Sequence, residues 1–267
     1  MQPRRIAAVA LRYFYLVRDS IARLLPIFAW VAVDIVLWGF ITKYLGGVVA
    51  PGVDLVHTLL GAVLLWDFFA RVMTGVTTTF LEDVWSRNFL NVFASPISVG
   101  EYVLGLVLSS TVTAIIALLV MLLLASAAFG LSFAILGASA VPALLVLFLF
   151  GIAIGVVACA LVLRMGPASE WFVWPIPAML SPFAGVFYPL DTLPGWMQLI
   201  GRALPPSYVF DALRAIVAGE RPSVAGLGLG LGLSLVYVAL ASFAFARVYR
   251  HAVRTGLLAR YSAESVS

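Results

Sequence analysis

Charged residues are scarce in this sequence of 267 residues. Lysine, arginine, aspartate and glutamate together make up 10% of the chain, whereas hydrophobic residues make up 63%. Soluble domains average about 25% charged and about 45–50% apolar residues, because a globule of this size must cover its surface with polar groups. The composition therefore excludes a soluble enzyme, a disordered chain and a nucleic-acid-binding protein.

Cysteine, histidine and lysine are almost missing. Cys159 is the one cysteine, so the chain has no internal disulfide and no cysteine metal site. The two histidines, His57 and His251, are too far apart in sequence to form a metal-ligand motif. The one lysine, Lys43, lacks the G-x-x-x-x-G-K-[ST] context of a phosphate-binding loop. No catalytic set of Ser, His and Asp stands out either, so we expect neither an enzyme nor a directly bound cofactor.

Long apolar segments dominate what is present. No charged residue occurs between Tyr102 and Leu163, which is unlike the alternating, roughly ten-residue strands of an outer-membrane barrel. A bilayer core needs about 20 apolar residues per helix. The sequence therefore predicts an all-α membrane protein forming a single domain, with six transmembrane helices over residues 24–42, 56–80, 102–128, 141–163, 171–189 and 224–246.

Two further segments have helical periodicity but are too polar to span a membrane. Residues 4–23 place apolar side chains on one face and arginines on another, which predicts a helix in the headgroup layer. An ordinary amphipathic cytosolic helix is the alternative. Residues 81–96 form a second amphipathic pattern, stopped by Ser95-Pro96. This helix is either a plain connector or a docking element for a soluble partner.

The arginines predict the orientation. With the N-terminus inside, most of the 16 basic residues lie on the inner side of the six-span topology. Cytoplasmic loops carry such an excess of basic residues, so we expect both termini in the cytoplasm. Segments 81–100 and 164–170 then face the cytoplasm, and segment 190–222 faces outward.

Three charged residues fall within the predicted spans: Asp34, Asp67 and Arg71. Such residues are costly in a bilayer and commonly mark a pathway or an ion pair. Asp67 and Arg71 are spaced i,i+4, so they can pair on one helix. They are either a polar element of a substrate path or inter-subunit lock, or a self-neutralised pair. Together with Asp34, which has no partner on its own helix, they suggest an ion- or proton-coupled secondary transporter or channel as an alternative function.

Two motifs resemble those of ABC-2-type exporter permeases. The segment FLEDVWSRNFLNVFASPIS is similar to the coupling-helix region of that family, with the family's Ser-Pro-x-Ser ending at Ser95, Pro96 and Ser98. The segment SPFAGVFYPLDTLPGWMQLIGRALPPSYVFDALR resembles the hallmark that follows the fifth span. Its matching positions are Gly185, Phe187, Pro189, Leu193, Pro194, Trp196, Pro205 or Pro206, and Arg214.

The resemblance implies a half-transporter in the bacterial inner membrane. Two permease chains, expected to be a homodimer, would pair with a dimer of cytoplasmic ABC ATPase subunits that bind ATP and magnesium. Residues 81–96 would be the coupling helix. The residues implied to contact the ATPase are Glu82, Asp83, Arg87, Ser95 and Pro96.

The resemblance also implies short re-entrant helices over residues 190–214 at the external end of the path. The aromatic and turn residues expected at this external gate are Gly185, Phe187, Tyr188, Pro189 and Trp196. A hydrophobic or amphipathic substrate is implied: a drug, a lipid or a lipid-linked glycan. Membrane lipids are expected partners, and nucleic acids are not.

Overall fold

The computed structural model describes residues 1–18, 20–48, 55–86, 91–92 and 95–257, and these residues contain helices and no strand. We number the α-helices in chain order. They are α1 (Pro3–Arg18), α2 (Ile21–Gly46), α3 (Gly61–Trp85), α4 (Val99–Phe129), α5 (Ala140–Met165), α6 (Ile176–Leu180), α7 (Gly195–Ala203), α8 (Pro205–Val217) and α9 (Val224–Arg254). A π-helical turn (Val56–Leu60) leads into α3, and a 3-10 helix (Phe133–Ser139) leads into α5.

Five of these helical stretches are long and apolar enough to cross a membrane. They are Ala29–Gly46, Val56–Trp85, Val99–Phe129, Phe133–Met165 and Val224–Arg254. Each coincides with one of the six spans predicted from the sequence. The chain is therefore an all-helical, multi-pass membrane protein.

Helices α3 and α5 form the centre of the bundle. Phe69 of α3 stacks on Phe150 of α5, with ring centroids 5.3 Å apart. A Cβ on Gly151 would lie 2.8 Å from Cβ of Val72, and one on Gly155 would lie 2.9 Å from the carbonyl oxygen of Met73. These two glycines let the backbones of α5 and α3 approach closely, as small residues do in membrane helices.

The predicted fifth span, residues 171–189, is not a continuous helix. It contains the end of a 3-10 helix (Pro167–Phe172), the five-residue helix α6 and a series of turns. Prolines at positions 175, 177, 182 and 189 explain the interruption, because each lacks the N–H that an interior helical position donates. The segment nevertheless runs between the two ends of the bundle: Trp85 of α3 donates to Glu170, and Phe187 stacks on Trp38 of α2.

Two predicted boundaries also need correction. The N-terminal helix ends at Arg18 rather than at residue 23, where α2 is already under way. Residues 81–85 are the last turns of α3, so a separate helix over 81–96 does not begin at 81. Residues 87–90 and 93–94 of that segment, Arg87 among them, lie outside the described residues. Ser95 and Pro96 form a bend just before α4.

The bundle has two ends, which we name for the helix found there. At the α1 end, the backbone N–H of Gln2 donates to Glu101, so α1 and α4 begin side by side. Further along, Val9 lies against Gly105 and Tyr13 lines the same cleft as Thr113, so the two helices run in the same direction. The last turn of α3 and Glu170 lie at this end too. The α8 end holds helix α8, Trp38 and Phe187.

Candidate functional site

A set of charged contacts at the α1 end holds α1 against the bundle. Arg12 of α1 forms an ion pair with Asp83 of α3. The Tyr102 hydroxyl of α4 donates to the other Asp83 oxygen at 2.7 Å. The side chain of Asp83 is 1% exposed, so the two contacts compensate a carboxylate that is almost entirely removed from water. One acid thus joins three helices.

Glu101 makes a second tie between α1 and α4. Its carboxylate accepts from the backbone N–H groups of Gln2 at 2.7 Å and Ser98 at 2.9 Å, and Arg5 lies 3.7 Å away. Ser98 and Glu101 form a capping box at the start of α4. We call the contacts of Asp83 and Glu101 together the α1 clasp.

Sequence reasoning missed most of the clasp. The Ser-x-x-Glu spacing of Ser98 and Glu101 is a recognisable capping signal and could have been found. The pairing of Arg12 with Asp83 joins residues 71 positions apart, and no local pattern indicates it. Tyr102 carries no sequence signal either, since its hydroxyl finds its acceptor only after α3 and α4 have packed.

The structure describes four of the five residues predicted to contact the ATPase. Glu82 and Asp83 are buried in the last turns of α3, and Asp83 is engaged within the chain. Ser95 donates its hydroxyl to the Val92 carbonyl, next to the exposed Pro96. Arg87 lies outside the described residues. Docking therefore remains a prediction for this segment.

The three charged residues within the spans lie on the neighbouring helices α2 and α3. Arg71 Nε donates to Asp67 Oδ2 at 2.7 Å, the pairing that the i,i+4 spacing permits. Asp34 of α2 lies close enough to interact electrostatically with both Asp67 and Arg71. Asp34, which has no partner on its own helix, thus lies within electrostatic range of the ion pair on the neighbouring helix.

A polar cleft of about 370 Å³ adjoins this group. One face of α3 supplies Arg71, Thr74, Thr78 and Glu82, which follow one another at helical spacing. The facing side chains come from α1, α4 and the interrupted segment: Tyr13, Thr113 and Trp174. The cleft therefore offers polar side chains and aromatic rings to a ligand, between helices that span the membrane.

At the α8 end, Arg214 connects α8 to the turn around Gly185, which belongs to the second family motif noted in the sequence. Its Nη1 donates to the carbonyl of Gly185 at 2.7 Å, and its Nη2 pairs with Asp211 at 2.6 Å. Gly185 has a φ of 65°, a left-handed conformation that favours glycine at this turn. Pro205 and Pro206 occupy the first turn of α8, where a missing N–H costs nothing.

The other residues predicted at the external gate gather around this turn. Phe187 stacks on Trp38 of α2, with ring centroids 5.1 Å apart and planes at 12°. Tyr188 donates its hydroxyl to the Pro182 carbonyl at 2.9 Å. Pro189 precedes the 3-10 turn Leu190–Thr192, and the exposed Trp196 meets Phe183 edge-on at 6.3 Å.

Metal ligands are sparse in the part of the chain that the structure describes: it holds no group of three or more His, Cys, Asp or Glu side chains able to bind a metal ion. Cys159, in α5, is a buried free cysteine.

Comparison with known proteins identifies the family. No curated protein matches the chain. The family model described as "ABC-2 family transporter protein" matches residues 51–243, more than two thirds of the chain. The matched region includes both motifs noted in the sequence, three of the five long apolar helices and the first 20 residues of a fourth, Val224–Arg254. The chain belongs to the ABC-2 family of transporter proteins.

Proposed function

We propose that the chain is the permease subunit of an ATP-driven exporter, working with a second permease copy and with separate cytoplasmic ATPase subunits. Family membership is the observation that carries this proposal. Residues 1–267 contain no G-x-x-x-x-G-K-[ST] loop, and in the proposed arrangement the separate ATPase subunits supply the energy. The α1 end is then cytoplasmic and the α8 end external, in keeping with the arginine distribution.

The α1 clasp supports a route for the coupling movement. Asp83 lies in the last turns of α3, and Glu101 lies in the first turn of α4. The proposed coupling segment connects these two helices. Because α1 is tied to both acids, an ATPase that displaces the segment would move α1, α3 and α4 as a unit.

Purification from the native host tests the proposal. A tagged chain should bring with it a P-loop ATPase and a second copy of the permease. Export should stop when the P-loop lysine of that ATPase is replaced. This lysine and the backbone N–H groups of the P-loop bind the phosphates of ATP. Export that persists with the inactive ATPase would refute an ATP-driven exporter.

Arg87 is the sharpest test of docking, since Asp83 is engaged inside the chain. Arg87→Glu should leave the fold intact and uncouple ATP hydrolysis from export. Arg164→Glu is the matched control: Arg164 is an exposed arginine in the last turn of α5. If both reversals, or neither, reduce export per ATP hydrolysed, residues 87–96 are not the docking element.

The polar cleft is the proposed path for a hydrophobic or amphipathic substrate. Thr78 lines the cleft, whereas its neighbour Thr77 is fully buried. In a Cys159→Ser background, Thr78→Cys should react with a water-soluble methanethiosulfonate reagent and Thr77→Cys should not. Equal labelling of the two positions would mean that the cleft is not a water-accessible path.

An ion-coupled transporter is the competing function, suggested by Asp34, Asp67 and Arg71. If these residues carry ions, an uncoupler should abolish transport while ATP is held constant. If they form a structural pair, the double exchange Asp67→Arg with Arg71→Asp should restore more export than either single change. The family to which the chain belongs favours the ATP-driven function.

A further inference from the structure

One face of α9 changes from apolar to basic along the helix. Its positions follow one another at intervals of three or four residues, so they share one side of the helix. They are Val236, Leu240 and Phe243, followed by Arg247, Arg250 and Arg254, and all six are exposed. The buried side of α9 is formed by other residues, among them Ser234, Ala241, Phe245 and Ala252. The three arginines, which we call the arginine stripe, therefore continue the outward-facing apolar side of the same helix.

The arginine stripe lies at the α1 end of the bundle. Helix α5 leads into the 3-10 helix that the last turn of α3 contacts at this end. Helix α9 runs parallel to α5: Ser234 donates to the Val146 carbonyl at 3.2 Å, and one turn further along both helices Tyr237 meets Phe150 edge-on at 5.2 Å. The two helices therefore end at the same end of the bundle, where the last turn of α5 carries the exposed Arg164.

The depth of the arginine stripe in the membrane follows from the length of α9. No charged residue occurs in residues 224–246, which extend over about 35 Å at the helical rise of about 1.5 Å per residue. The hydrocarbon core of a bilayer is about 30 Å thick. Arg247 directly follows this apolar length, so the stripe begins at the edge of the core and extends about 10 Å outward through the headgroup layer.

The charge of the arginine stripe is not neutralised on its own helix. No acidic residue occurs between Glu220 and Glu264, and none of the three arginines forms an ion pair with a residue that the structure describes. Arg250 Nε donates to the Ala246 carbonyl at 3.2 Å, which holds its guanidinium beside the helix. Arginine binds phosphate through paired N–H groups. The stripe therefore complements a row of anionic phosphates.

The position of the stripe favours lipid as the source of these phosphates. Lipids whose tails cover Val236, Leu240 and Phe243 place their headgroups at the level of the arginine stripe, on the same side of α9. Basic residues next to a spanning helix attract anionic headgroups. A soluble acidic protein would reach only the part of the stripe that projects beyond the headgroup layer.

We propose that the arginine stripe binds anionic phospholipid in the leaflet at the α1 end, through the phosphates of lipids whose acyl chains lie along the apolar side of α9. The bound headgroups would fix the depth of α9 in the membrane. This proposal rests on the chain spanning a membrane, and it does not depend on the proposed exporter function.

Native mass spectrometry of the full-length chain in detergent, titrated separately with phosphatidylglycerol and phosphatidylcholine, tests the site. Phosphatidylglycerol should be retained more strongly, because phosphatidylcholine has the phosphate but no net charge. Arg247→Gln, Arg250→Gln and Arg254→Gln should each weaken its retention about fivefold, the factor that one basic residue contributes near an anionic lipid surface. The triple variant should retain the two lipids equally. Displacement of phosphatidylglycerol by an equal concentration of inorganic phosphate would mean that the stripe binds free phosphate, and would overturn the proposal.

Two controls separate the arginine stripe from net charge. Arg221→Gln removes an exposed arginine just before the opposite end of α9 and should retain phosphatidylglycerol as the wild type does. Arg250→Gln combined with Thr255→Arg keeps the net charge but places the arginine off the stripe, at an exposed position, so retention should stay as weak as in Arg250→Gln. Full recovery in this double variant would show that net charge decides retention and would overturn the proposal. Loss of a copurifying protein from the triple variant, with lipid retention unchanged, would overturn it in favour of a protein partner.

Discussion

The two ends of the bundle are stabilised by different kinds of contact. At the α1 end, charged side chains meet across long stretches of sequence: 71 residues separate Arg12 from Asp83, and 99 separate Gln2 from Glu101. At the α8 end, hydrogen bonds run mainly from side chains to nearby backbone carbonyls, as from Tyr188 to Pro182, and aromatic rings stack. The long-range ties of the first end join charged groups. The second end has the ion pair of Arg214 and Asp211 within α8, and its other described contacts depend on close packing.

This difference matters for a protein that must change shape. Contacts between charged side chains can separate and re-form as water enters and leaves. A backbone packed at van der Waals distance against a glycine has no such freedom, because interiors are close-packed. We therefore expect substitutions at the α1 end to act through charge, and those at the α8 end to act through volume.

Removing the charge of Arg12 should have the largest effect. Among the described residues, Arg12→Met leaves the buried Asp83 carboxylate with the Tyr102 hydroxyl as its remaining side-chain partner. Breaking a buried pair in this way costs about 3 kcal/mol. Thermal unfolding in detergent should show a melting temperature lower by several degrees.

The double variant Arg12→Met with Asp83→Asn separates charge from packing. It removes both charges and keeps an acceptor for the Tyr102 hydroxyl, so it should recover most of the lost stability. Arg4→Met, at an exposed position of the same helix, should match the wild type. A double variant no more stable than Arg12→Met would show that packing, and not charge, holds α1.

Adding a side chain at Gly201, at the α8 end, should have the next largest effect on stability. A Cβ there would lie 2.6 Å from the carbonyl oxygen of Phe183 and 2.7 Å from Leu190 Cδ2. Gly201→Ala should therefore destabilise the protein by about 2 kcal/mol through overpacking, measured by the same thermal unfolding. Gly195, in the same helix α7, has no atom within 4 Å of its would-be Cβ, so Gly195→Ala should have no such cost. Equal effects at the two glycines would contradict close packing as the basis of this end.

The aromatic stack between Trp38 and Phe187 should contribute less. Such pairs contribute about 1 kcal/mol beyond the area they bury. A double-mutant cycle with Trp38→Leu and Phe187→Leu, measured as the free energy of unfolding, tests this. The cycle separates the interaction energy between the two rings from the loss of burial in each single variant. Additive single effects would mean that the rings are neighbours without an energetic interaction.

The same contrast explains what the sequence could predict. The spans and the i,i+4 pair of Asp67 and Arg71 follow from local patterns, whereas the segment around Gly185 stands out through its resemblance to a family motif. The apolar composition of residues 171–189 predicts a span, but the prolines of this segment interrupt the helix. The pairing of Arg12 with Asp83 could not be predicted, since it depends on how α1 packs against α3. Local signals can be recognised at both ends, such as the capping box of Ser98 and Glu101. Tertiary contacts cannot, whether the Arg12–Asp83 pair at the α1 end or the Trp38–Phe187 stack at the α8 end.

The contact between Trp85 and Glu170 should have the smallest effect, although it lies at the charged end. The indole N–H donates to the carboxylate at 2.7 Å between exposed side chains, so water can replace either partner and the net contribution is about 0.5–1 kcal/mol. Glu170→Ala should lower the free energy of unfolding by that amount. Glu170→Gln, which keeps an acceptor, should lie between Ala and the wild type. A loss in Glu170→Ala as large as that in Arg12→Met would show that the α1 end does not depend on buried charge in particular, and that any long-range tie there suffices.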